Sequence, residues 1–79
     1  MEEKFIKKYW NEEDVMFFIH FTNGIATRQV EISKDNKVYL TQDNPVVNES
    51  MLYDQNMEDL ELNLNDFITK EEFEKVWKI

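Results

Sequence analysis

The residues that could do chemistry in this chain are few. His20 is the only histidine and there is no cysteine, so the usual zinc ligand sets cannot be assembled within one chain. A nucleophile relay would need a serine or threonine activated by His20 and a carboxylate to orient the ring. His20 falls opposite Thr27 in the hairpin derived below, with no such carboxylate evident. A hydrogen-bonded structural histidine fits it better. The run Asp54-Gln55-Asn56-Met57-Glu58-Asp59 has part of the spacing of a calcium loop. Asp59 stands at the sixth position, which needs glycine, and Asn65 at the twelfth, which needs glutamate. Paired carboxylates for acid–base work lack an apolar pocket to separate their pKa values. Asn48-Glu49-Ser50 matches a glycosylation triplet, which matters only in a secreted chain. The expectation is a non-enzymatic protein with no catalytic residue, no metal and no cofactor.

Charge is the feature left. The net charge is −8, which argues against direct binding to nucleic acid, where phosphate repulsion must be overcome. It suits a basic protein surface, approached with electrostatic steering. Between Val38 and Thr69 there are seven acids, Asp43, Glu49, Asp54, Glu58, Asp59, Glu61 and Asp66, and no lysine or arginine. A one-sign segment repels itself unless packing or a partner offsets it. These seven residues are the expected partner-binding set, with Phe18 as an apolar anchor if it is exposed.

The elements that must position them start from a hairpin. Asn23-Gly24 is a type I′ turn signal, because both central residues need positive φ. Its flanks, residues 15–21 and 25–32, are rich in β-branched and aromatic types. A regular two-residue turn sets Phe21 against Ala26, Ile19 against Arg28, Phe17 against Val30 and Val15 against Ile32, all on one face. Met16, Phe18 and His20 fall on the other, opposite Glu31, Gln29 and Thr27. Arg28, on the apolar face, is expected to lay its stem on the core and meet a carboxylate, Glu72 or Glu74. Cover for Phe18 and Met16 is expected from the Val46 to Leu64 segment.

Residues 4–10 alternate as a first strand, joined to the hairpin by the polar turn Asn11-Glu12-Glu13-Asp14, with lysines suited to an open sheet edge. A three-residue loop, Lys34-Asp35-Asn36, brings residues 38–41 back as a fourth strand with Ile32 beside Val38 and Val30 beside Leu40. In residues 42–66, Asn44-Pro45 marks a turn. Leu60, Leu62 and Leu64 alternate like a short strand, with a helical turn near residues 57–62 as the alternative. Thr69-Lys70-Glu71-Glu72 is a capping box, Ile68 and Phe73 form a hydrophobic staple, and the acids and lysines of the helix match its dipole. Phe73, Val76 and Trp77 share a stripe expected to pack on the Val15–Phe17–Ile19–Phe21 side of the hairpin. The expected fold is α+β: a four-stranded antiparallel meander, an irregular acidic segment and one C-terminal helix on the sheet.

Seventy-nine residues make one small domain. Six phenylalanines, three tyrosines, two tryptophans and four methionines supply a core, and one glycine and one proline exclude a low-complexity chain. No apolar run approaches the ~18–20 residues of a membrane span. The start, Met-Glu-Glu-Lys, does not read as a signal peptide. With no cysteine, a cytoplasmic setting is expected.

A strand ending at Trp10, the strand Arg28-Gln29-Val30-Glu31-Ile32 and the terminal run Ile68-Thr69-Lys70-Glu71-Glu72-Phe73-Glu74-Lys75-Val76-Trp77 together resemble a family of small, largely uncharacterised bacterial proteins. The resemblance covers the sheet and the helix but not residues 42–66. Members of that kind are thought of as antitoxin or immunity-type proteins, so the resemblance implies binding rather than catalysis. The reading is a small inhibitor: an immunity protein, or a phage-encoded inhibitor of a defence nuclease (an anti-CRISPR protein) acting as a nucleic-acid mimic on a basic protein partner. A housekeeping assembly subunit acting as a homodimer is the alternative.

Overall fold

The computed structural model describes residues 2–78. Four strands, β1 (Glu3–Trp10), β2 (Val15–Thr22), β3 (Ile25–Ile32) and β4 (Lys37–Thr41), form an antiparallel meander. A two-stranded ribbon, β5 (Val46–Val47) and β6 (Ser50–Met51), follows, then two 3₁₀ turns, Met57–Asp59 and Leu64–Asp66. β7 (Phe67–Ile68) leads into the helix α1 (Lys70–Lys78). The fold is α+β, with the helix packed on the sheet.

The turns form where the sequence places them. Asn23 and Gly24 both have positive φ, 53° and 83°, as a type I′ turn requires. Asp14 and Asn48 take the left-handed conformation in their own turns, residue types that tolerate it. The helix has its capping box: Glu72 N–H donates to Thr69 Oγ1 at 3.1 Å, and Thr69 N–H reaches Glu72 Oε1 at 3.3 Å.

The register departs from a regular hairpin. Thr22 faces Ile25 and Phe21 faces Ala26, but the next pair is His20 with Arg28. Thr27 is an extra residue on β3, a β-bulge, and its hydroxyl donates to the His20 carbonyl at 3.2 Å. Beyond it every side chain of β3 is inverted relative to the expected pairing. Val30 stands beside Phe18 and Ile32 beside Met16, while Gln29 stands beside Ile19 and Glu31 beside Phe17. The connection to β4 takes four residues, 33–36, rather than three, so Ile32 pairs with Lys37 and Val30 with Tyr39. That shift keeps β4 in phase with the bulged strand.

The two faces therefore exchange covers. The helix lies on the Phe18 side, where Phe5, Val30 and Phe73 are buried and Phe18, Ile32, Tyr39, Ile68, Val76 and Trp77 pack around them. The acidic segment covers the Phe17–Ile19–Phe21 side: Leu52 joins Ile6, Ile19, Phe21, Ala26 and Leu40, with Tyr53, Met57, Leu60 and Leu62 against them. No strand forms over residues 60–64; the helical alternative is the closer one, as a 3₁₀ turn at Met57–Asp59.

The sheet also has five strands rather than four. β7 pairs with Phe5 and Ile6 on the outer side of β1, so the lysine-bearing strand is not the sheet edge there. Ile68, read as a staple residue, also supplies this pairing.

Gln29 holds the acidic segment to the sheet. Its amide, 3% exposed, donates to the Met51 carbonyl at 3.2 Å and to Glu31 at 2.8 Å, and accepts from Tyr53 N–H at 2.9 Å. Glu31 in turn accepts from Ser50 Oγ at 2.9 Å. Cutting Gln29 to alanine strands these groups, at a cost of about 1–3 kcal/mol. The expected result is a lower urea midpoint together with fast hydrogen exchange at the Tyr53 amide, while the helix amides stay protected.

Candidate functional site

Two constellations of polar and aromatic side chains stand out, one on each face of the sheet. The first lies under the helix. His20 Nε2 donates to Glu3 Oε1 at 2.7 Å, and Arg28 Nε donates to His20 Nδ1 at 3.0 Å. Because Arg28 can only donate, Nδ1 is the acceptor and the ring proton sits on Nε2. The guanidinium continues to Glu74 with two bonds, 3.2 and 2.7 Å, and lies over the rings of Phe73 and Trp77. The Phe5 ring stacks on His20, with centroids 4.3 Å apart.

This chain of contacts ties β1, β2 and β3 to the helix. Arg28 meets a carboxylate as expected, and the partner is Glu74, but it does so from the Phe18 face because of the bulge. His20 is buried. Loss of hydration lowers its pKa first and the Arg28 charge adds to that, against the raising effect of Glu3. The Arg28 hydrogen bond holds Glu74 below the usual carboxylate range. The two imidazole nitrogens are taken by Glu3 and Arg28, and the arrangement links the sheet to the helix.

The second constellation is a cleft of about 340 Å³ on the opposite face. Tyr9 and Trp10 come from the end of β1, Phe17 and Ile19 from β2, and Met51, Tyr53 and Leu60 from the acidic segment, with Lys8 and Gln29 beside them. Trp10 and Met51 are 46% and 54% exposed, which is high for large apolar side chains grouped together; Tyr9, paired with Met16, turns its side chain to the other face. Trp10 and Phe17 are in ring contact at 5.9 Å. A second recess shares Trp10, Phe17 and Met51 and is lined also by Glu13, Glu31 and Glu49.

The seven acids are distributed around this face unequally. Asp66 accepts from Asn63 N–H at 2.9 Å and lies 3.6 Å from Lys8 Nζ, so it serves the 3₁₀ turn. Asp43, Glu49, Asp54, Glu58, Asp59 and Glu61 are exposed, and none makes an ion pair among the described residues. Asp54 and Asp59 both act on Tyr53 in the cleft wall; its pKa is raised by burial first, then by Asp59 and Asp54. Glu49 is in the β5–β6 turn, beside the second recess. Asp43 lines neither cavity.

Phe18 is half-buried against the helix-side core. It is not the exposed anchor that the sequence left open, because the bulge brings the helix to its side. Among the described residues the exposed aromatics are Tyr9, Trp10 and Phe67; Tyr9 and Trp10, at the cleft, were not singled out as anchors from the sequence. Their signal was adjacency: two large aromatics at a strand end, followed directly by Asn11-Glu12-Glu13-Asp14.

No family model, curated protein or solved structure matches this chain. Among the described residues, no three His, Cys, Asp or Glu side chains group to hold a metal ion, and no helix is long and apolar enough to cross a membrane.

The His20 contacts set a pH dependence. With its folded pKa below the ordinary 6.5, the unfolded chain takes up the proton first as pH falls. Protonation at Nδ1 would also turn a donor against Arg28 Nε–H. His20's contribution to stability is therefore complete above pH 6.5 and is lost as pH falls through the folded value. Glu74, lowered from 4.5, loses its contribution at still lower pH. Urea midpoints measured against pH should fall in the upper window for the parent chain. A His20→Gln variant should be flat there and keep the lower, carboxylate-dependent fall.

Proposed function

We propose that this chain is a non-enzymatic binding protein that occupies a basic, nucleic-acid-binding surface of a protein partner, as an immunity protein or inhibitor does. The carboxylates of residues 43–66 take the place of phosphates in that surface. One observation carries the reading: Asp43, Glu49, Asp54, Glu58, Asp59 and Glu61 are exposed and make no ion pair among the described residues. Their segment is held to the sheet through Gln29, Ser50 and the Leu52 core contacts. Charges held this way lose little freedom on binding, which favours affinity. A fixed anionic face also speeds encounter with a cationic one and rejects acidic partners.

A second reading is a homodimer built at β4, the strand that ends the sheet. Lys37 sits at the start of that strand. Sedimentation over a concentration series separates the two, a monomer throughout being the expected result.

The test of the first reading reverses Glu58, Asp59 and Glu61 to lysine together. Against a nuclease or toxin from the native host, affinity should fall by about tenfold or more, and the remaining binding should depend less steeply on salt. Unchanged affinity with an unchanged salt slope sinks the proposal.

A further inference from the structure

The cleft at Trp10 is a site of another kind from the carboxylates around it. Its side-chain amine, amide and hydroxyl groups are already engaged within the chain. Lys8 Nζ donates to the Glu61 carbonyl at 2.7 Å and pairs with Asp66. Gln29 is bonded at both ends of its amide. Tyr53 donates to the Asn56 carbonyl, and Tyr9 to Asp14. The cleft therefore offers an apolar floor and has little with which to orient a polar small molecule. Its surroundings carry the opposite character. Glu13 and Glu49 line the adjoining recess, and Asp54 and Asp59 bear on Tyr53. Neither Glu13 nor Glu49 makes an ion pair among the described residues.

An occupant that satisfies both parts is apolar at its tip and cationic beside it. A second copy of the chain fails this condition, because each copy carries −8 and would bring its own acids to the rim. We propose that the cleft formed by Trp10, Phe17, Met51 and Tyr53 receives one large apolar side chain of a protein partner, carried on a segment whose flanking residues are lysine or arginine. The proposal rests on the partner being basic, and it assigns the anchor that the carboxylates by themselves lack. The interface then has a hydrophobic centre with a charged rim, where an aromatic lining contributes most.

Three short synthetic peptides test it by NMR, read at the Trp10 indole and the Met51 methyl. One has a leucine among lysines and arginines, one replaces that leucine by serine, and one keeps the leucine among glutamines. The first should shift both signals. Each of the other two should bind at least about tenfold more weakly. Trp10→Ser and Met51→Ser, changes at exposed side chains, should weaken the first peptide to the level of the second while leaving the helix signals in place. Equal binding of the first two peptides overturns the anchor and leaves the acidic reading standing. Equal binding of the first and third overturns the requirement for flanking cations at the cleft, while the triple charge reversal still decides the acidic reading separately. No binding by any peptide overturns the cleft as a peptide site. Shifts of the Trp10 indole on diluting the free protein overturn the proposal in favour of self-association.

Discussion

One extra residue in β3 decides how everything else is arranged. Without the bulge at Thr27, Val30 and Ile32 would sit with Phe17 and Ile19, and Gln29 and Glu31 would face the helix. With it, Arg28 and Val30 meet the helix, while Gln29 and Glu31 meet the acidic segment. The sheet becomes a partition between two small cores, each closed by a different part of the chain. Each core also has its own polar fastening: Arg28 to Glu74 on one side, Gln29 to Met51 and Tyr53 on the other. Every buried side-chain polar atom among the described residues has a partner, so the bulge satisfies both faces at once.

The parts of this fold legible in the sequence were those set by neighbouring residues. Asn23-Gly24 announced its turn, Asn11 to Asp14 closed the first hairpin, and Thr69 with Glu72 announced the helix start. That Arg28 would meet a helix carboxylate was legible, because an arginine in an apolar strand needs one, but the choice of Glu74 over Glu72 was not. The bulge was not legible, since Thr27 is an ordinary strand residue and nothing beside it signals an insertion. What selects the bulge is long-range: the reach of Arg28 to the helix and of Gln29 to residues 51 and 53. β7 was hidden for the same reason, being two residues that pair with a strand some sixty positions earlier. At the candidate site the charges could be counted from the sequence. The cleft could not, because Tyr9 and Trp10 end a strand while Met51, Tyr53 and Leu60 come from a segment without a repeating pattern.

The electrostatic layout follows from that division. Lys8 reaches across from β1 to the segment that has no cation of its own, meeting Asp66 and the Glu61 carbonyl. Burial of Leu52 with the half-buried Tyr53, Met57, Leu60 and Leu62 offsets the remaining repulsion by packing. The acids stay outward because the apolar residues between them are the ones facing the sheet.

The pairing of β1 with β7 has a consequence for the order of assembly. Phe5 meets Ile68, and Glu3 is linked through His20 and Arg28 to Glu74. β1 is thus completed by residues some sixty positions later, a contact pattern of high sequence separation that slows folding. On a ribosome, β1 to β4 would emerge with the surface destined for the helix uncovered, and Phe5, Phe18 and Val30 would stay open to water until residues 67–77 had been synthesised. A nascent chain of this fold therefore stays sticky until residues 67–77 have emerged to cover it.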